Sequence, residues 1–138
     1  MATIAKKILP RGIRNNNPLN IRLGSHWLGL ADIQDDPEFC QFKTMVYGIR
    51  AAFRLLRSYI VNKKLNTIRL IISRWAPSSE NDTEKYIAEV VRITGIADNY
   101  VISFYDKEVM IKLFDAMCQV ENGQKVPSVM VNNGYGLV

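Results

Sequence analysis

The sequence predicts an α+β fold, mostly helical, with a small β-hairpin near its N-terminus. Three observations carry that expectation. After Thr44 the apolar residues Ile49, Ala52, Phe53, Leu56 and Ile60 recur at i, i+3, i+4 and i+7, the spacing of a half-buried helix. Between residues 19 and 42, short apolar pieces alternate with polar residues and are broken by glycine turns. The chain has 138 residues and is 48% hydrophobic, which suits a single domain over 1–138 built on one core.

Residues 1–10 read as an arm, and Pro10, Gly12 and Pro18 break the chain before any regular element begins. The run "RGIRNNNPLNIR" (residues 11–22) places Asn15, Asn16, Asn17 and Asn20 at one bend. Asparagine suits turns because its short amide bonds to nearby backbone and tolerates left-handed geometry. Ile21 and Leu23 then alternate with Asn20 and Arg22, and Gly24 and Gly29 mark turns around Trp27, which gives the hairpin.

Thr44 caps the first long helix. Thr67 caps a second over about Ile68 to Trp75, stopped before Pro77. Asn81 with Glu84 has the spacing of a capping box, opening a third helix that ends at Gly95. A fourth runs from about Tyr105 to Glu121, with Val109, Leu113, Ala116, Met117 and Val120 as its buried stripe. Residues 124–138 read as an extended tail, with one short strand permitted by Val129 and Val131.

Net charge is +5, from 18 Lys and Arg against 13 Asp and Glu, which permits a polyanionic partner without naming one. Cys40 and Cys118 lack metal spacing and read as free buried thiols. The apolar stretch before Pro10 falls short of the roughly 7–15 residues of a signal sequence, and no segment nears the roughly 20 needed to span a bilayer. The expectation is synthesis in the cytoplasm without a signal peptide and no membrane partner, with delivery outside the cell by a virion or by lysis.

No cofactor signature appears. His26 is the one histidine, so a common zinc set is incomplete and no metal site is expected. Neither a Walker A loop nor a GxSxG turn is present. Arg50, Arg54 and Arg57 form a stripe that reads first as a solvated helix face and second as a phosphate contact. Asp32, Asp35, Asp36 and Glu38 crowd one loop, and Glu80 precedes a helix start, where its charge is favoured. Glu121 differs from these. A carboxylate at a helix C-terminus faces the negative end of the dipole, and partial burial would raise its pKa toward the range a general acid needs. An ordinary glutamate at a frayed helix end is the plainer account.

"RGIRNNNPLNIR", "HWLG" and "YGIRAAFRLL" together resemble a family of small phage-encoded, lysozyme-like proteins, often labelled virion or structural proteins. They are also similar to part of the bacterial glucosaminidase domains. "RWAPSSENDTEKYIAEV" looks like a later segment of such domains, so the resemblance covers about residues 11–95. Leu19 stands where the family pattern has Gly. The catalytic glutamate of that superfamily ends a helix before the hairpin, yet no acidic residue precedes Asn15 here. "VMIKLFDAMCQVENG" looks like that catalytic helix, so the resemblance implies a circular permutation that sets Glu121 opposite the asparagine bend.

On that resemblance, Asn15, Asn16, Asn17 and Asn20 would floor a sugar-binding cleft, Trp27 would stack on a sugar ring, and Tyr47 and Tyr86 would line it. Glu121 would protonate the glycosidic oxygen, and Asp35 or Asp36 would supply a second carboxylate. The leading expectation is cleavage of the peptidoglycan glycan strand, of muramidase or lytic transglycosylase type. The alternative is a non-catalytic virion structural or wall-binding module on the same fold, with virion proteins as further partners. A nucleic-acid-binding protein is the third and least favoured reading, resting on net charge and the arginine stripe alone.

Overall fold

Thr44 closes an extended stretch, and its side chain accepts the Tyr47 N–H, opening the longest amphipathic helix of the N-terminal half. In the computed structural model, which describes residues 9–138, six α-helices follow one another among the described residues. They are α1 (Arg11–Arg14), α2 (Met45–Arg57), α3 (Ile68–Trp75), α4 (Thr83–Thr94), α5 (Lys107–Asn122) and α6 (Ser128–Gly136). A π-helical turn, Ser58–Asn62, extends α2. The expected arm over residues 1–10 lies mostly outside the described residues.

Side-chain caps set the boundaries. Thr67 accepts the Leu70 N–H, and Asp106 accepts the Val109 N–H. At the start of α4 the cap is Asp82, which accepts from the Lys85 N–H, rather than the expected Asn81. Gly95 and Gly123 end α4 and α5 in the left-handed conformation that glycine adopts without strain.

Ile49, Ala52, Phe53, Leu56 and Ile60 are all buried, as their periodicity requires. Phe53 meets Phe114 of α5 at 5.0 Å and Tyr135 of α6 edge-on at 5.1 Å. Helix α6 packs along α2, α4 lies between α3 and α5, and α1 touches α5.

Two expectations are corrected. No β-hairpin forms, so the fold is all-α among the described residues rather than α+β; residues 19–42 hold only two isolated bridges, Arg22 with Phe39 and Leu30 with Phe42. Each bridge rests on two backbone bonds, Leu23 N–H to the Glu38 carbonyl and Cys40 N–H to Ile21 at one, Ala31 N–H to Gln41 and Lys43 N–H to Gly29 at the other. Between them, side chains take the backbone groups that would have continued a ladder. The Asn17 amide accepts the Ile21 N–H and donates to the carbonyls of Ile21 and Cys40. Asp36 Oδ1 accepts the N–H groups of Glu38 and Phe39, and Gln41 Oε1 accepts those of Asp35 and Asp36.

The second correction concerns residues 124–138. They contain the helix α6 rather than an extended tail or a strand. Asn132, Asn133, Gly134 and Gly136 are poor helix formers. Burial of Val131 and the seating of Gly134 against Ile49 override that preference; a β-carbon at Gly134 would lie 2.4 Å from Ile49 Cγ2.

Candidate functional site

The asparagine bend begins where α1 stops. Asn16 and Asn20 both take positive φ, 52° and 53°, and Leu19 is fully buried. The left-handed positions of this turn thus fall on asparagines rather than at Leu19. Three of the four amides are committed inside the protein. Asn15 donates to Asp36 Oδ2 at 3.0 Å, Asn16 donates to the Phe42 carbonyl at 3.1 Å, and Asn17 makes its three backbone bonds while fully buried.

Asn20 turns the other way. Its Nδ2 donates to Glu121 Oε1 at 2.8 Å, across 101 residues of sequence. Glu121 Oε2 accepts from the hydroxyl of Tyr86 on α4 at 2.9 Å. The next residue, Asn122, is buried and donates to the Pro18 carbonyl at 2.7 Å and to the Cys118 carbonyl at 3.1 Å. The end of α5 is therefore fastened to the bend at two successive residues.

Gly12 makes this docking sterically feasible, since a β-carbon there would lie 2.5 Å from Asn122 Oδ1 and 3.0 Å from Asn20 Oδ1. Those two buried amide oxygens accept no hydrogen bond from the described residues and face the Gly12 α-carbon instead.

Burial raises the Glu121 pKa, opposed by the hydrogen bonds from Asn20 and Tyr86. No Lys or Arg pairs with it among the described residues. Tyr86 is pushed well above the usual tyrosine range by burial first and by the Glu121 charge second, so its hydroxyl stays a donor.

The two partners of Glu121 line different cavities. Asn20 lines a groove of about 340 Å³ with Arg22, Trp27, Tyr59, Trp75 and Glu80. Tyr59 and Trp75 meet edge-on at 5.8 Å, and the buried Trp27 Nε1 has no acceptor among the described residues. Tyr86 lines a cavity of about 520 Å³ with Lys85, Arg92, Gln119 and Gly123.

The other expected site residues lie elsewhere. Asp36 sits between Asn15 and Arg11, whose Nη2 and Nε donate at 2.6 and 2.7 Å. That ion pair, aided by backbone N–H groups, holds its carboxyl far below the usual carboxylate range despite burial. Asp35 is exposed, and its N–H donates to Gln41. Tyr47 stacks over Gly29, and Glu121, Tyr47, Asp35 and Asp36 line neither cavity; Glu121 reaches each only through its partners Asn20 and Tyr86. Trp27 and Tyr86 line one each. Periodicity gave no hint of Tyr59, and Trp75 stood in the sequence only as the end of a helix; the one available signal was an aromatic at that end beside Pro77.

No protein-family model matches the chain. Over 117 residues, 82% of this chain, it is 48% identical to Protein P5 of Pseudoalteromonas phage PM2, of which the match covers 71%. The chain belongs to the Protein P5 family. The phage part of the resemblance seen in the sequence is thereby established for this family, whereas the lysozyme-like part is not. No helix among the described residues of this Protein P5 relative is long and apolar enough to cross a membrane.

Proposed function

We propose that this member of the phage family is a virion protein that engages the glycan strand of the host cell wall. The supporting observation is the groove of Trp27, Tyr59 and Trp75, which meets the Asn20–Glu121 contact at its polar end. Aromatic faces offer sugar rings broad apolar contact, and Asn20, its amide shared with Glu121, marks the polar end of the groove. Arg74, also on the groove, suits the carboxylates of wall material, while Arg22 there is paired with Glu38 and Glu80. Co-sedimentation with purified sacculi tests this reading. Trp75→Ala, with its fold verified by circular dichroism, is expected to weaken retention about tenfold, on the order of 1.4 kcal/mol. Equal retention of the two proteins rejects the groove as the binding site.

A second reading adds cleavage, and the environment of Glu121 favours it. A general acid must hold its proton near neutral pH, and burial at a helix C-terminus works in that direction. In a lytic transglycosylase route, a glycan that displaces Asn20 from Glu121 would bring its glycosidic oxygen to the acid, and Glu121 gives that oxygen its proton as the C–O bond breaks. The sugar's own 6-hydroxyl then closes on the anomeric carbon and returns a proton to the carboxylate. One acid suffices, and that suits a site where Asp36 is committed to Arg11. Zymography on purified peptidoglycan with wild type and Glu121→Gln decides the matter. Clearing by wild type alone supports catalysis; equal clearing removes Glu121 from it; no clearing by either leaves the binding reading.

A further inference from the structure

Charge along this chain is segregated. Residues 39–79 hold eight of the 18 Lys and Arg and none of the 13 Asp and Glu. Within that stretch Arg50, Arg54 and Arg57 stand on α2 at i, i+4 and i+7, so they share one stripe of the helix. At 100° per residue the stripe lies roughly 130° around α2 from Leu55, the α2 residue on the aromatic groove. At 1.5 Å per residue it is about 10 Å long, matching about three phosphates of one strand at 3.4 Å of axis each.

None of the three arginines forms an ion pair among the described residues. Arg50 Nε donates to the Leu137 carbonyl at 3.3 Å, a neutral partner. Arg50 is held below the usual arginine range, chiefly by burial and then by the charge of Arg54, with a smaller effect from Arg57. Like charges one helical turn apart destabilise a helix, and a polyanion laid along the row would relieve that repulsion. All three are arginines rather than lysines, so each presents a planar fork that fits phosphate oxygens. No large exposed apolar side chain stands on α2 to enter a lipid surface.

We propose that the arginine row of α2 binds the phosphate backbone of double-stranded nucleic acid. Contacts of this kind position a duplex without reading its sequence. They leave the aromatic groove free on another flank of the same helix.

Fluorescence anisotropy with a labelled duplex of about 20 base pairs tests this, at about 0.05 and 0.2 M salt. Three phosphate contacts predict a log–log salt slope near −2.7, which is an affinity loss of about 40-fold across that range. Arg57→Gln alone should reduce the slope by about 0.9, and Arg54→Gln with Arg57→Gln by about 1.8, with unchanged circular dichroism. Lys63→Gln with Lys64→Gln, outside the row, should leave the slope near the wild-type value. The proposal fails if wild type does not retain the duplex, or if the double arginine variant keeps the full slope. It also fails if phosphatidylglycerol vesicles bind through the same arginines and the duplex does not.

Discussion

Asn20 and Glu121 face each other at 2.8 Å, although 101 positions separate them along the chain. Among the described residues the carboxylate has no cation to neutralise it. Its environment consists of one amide, one phenol and the C-terminal end of a helix, so its charged form is tolerated rather than favoured.

Because the folded-state pKa of Glu121 lies above its unfolded value, its contribution to stability is full below the unfolded pKa. That contribution is lost as pH rises through the folded value. Glu121→Gln, a neutral side chain of the same shape, should flatten this part of the profile. Thermal melts of wild type and variant from about pH 4 to 8 should show the variant gaining relative to wild type as pH rises. Parallel curves would show that burial does not disfavour the carboxylate.

Asp36 has the opposite sign. Its folded pKa is depressed by Arg11, so its stabilisation is present above the unfolded value and lost as pH falls toward the folded one. Asp36→Asn should cost about 2 kcal/mol at neutral pH, the scale of a hydrogen bond to a charged group, and less in acid. Urea titrations at the two pH values check both statements.

Asn17→Ala removes three buried hydrogen bonds to Ile21 and Cys40 and leaves their backbone groups unpaired. A loss of about 3 kcal/mol or more is expected in urea unfolding. Asn16→Ala, which gives up partly exposed bonds and a left-handed residue, should lose less.

Gly48 on α2 passes directly under the bend, where a β-carbon would lie 1.8 Å from the Asn16 carbonyl oxygen. The obstacle is backbone, which cannot rotate away. Gly48→Ala should destabilise by about 3 kcal/mol or more despite the higher helix propensity of alanine. Expression yield and melting temperature report it.

Helices α2, α3, α4 and α5 were legible because their core residues keep helical periodicity and their Thr N-caps and Gly ends stand in the sequence. The Asp82 cap was expected one residue early, at Asn81, and the Asp106 cap was not expected. The region between Leu19 and Phe42 was not. Alternation of apolar and polar residues records which side chains are buried, and it cannot tell a ladder from a loop whose backbone is held by Asn17, Asp36 and Gln41. Helix α6 was hidden for a different reason: its residues are poor helix formers, and its stability comes from packing on Ile49 and Phe53. Glu121 and Asn20 could be named separately from helix-end and turn chemistry. The roles of Tyr59 and Trp75 depend on how α2 and α3 meet, which no local pattern encodes. The absence of acids across residues 39–79 was readable from the start and is the signal that composition totals conceal.

Fastening Asn122 to Pro18 and Glu121 to Asn20 has a consequence for biosynthesis. These are contacts of very high sequence separation, so the carboxylate finds its partners only after nearly all of α5 has left the ribosome. A nascent chain halted before Glu121 carries the asparagine bend but not the two residues that fasten it, so the Asn20 amide and the Pro18 carbonyl wait for the end of α5. The order in which the N-terminal half becomes locked is thus set by topology alone.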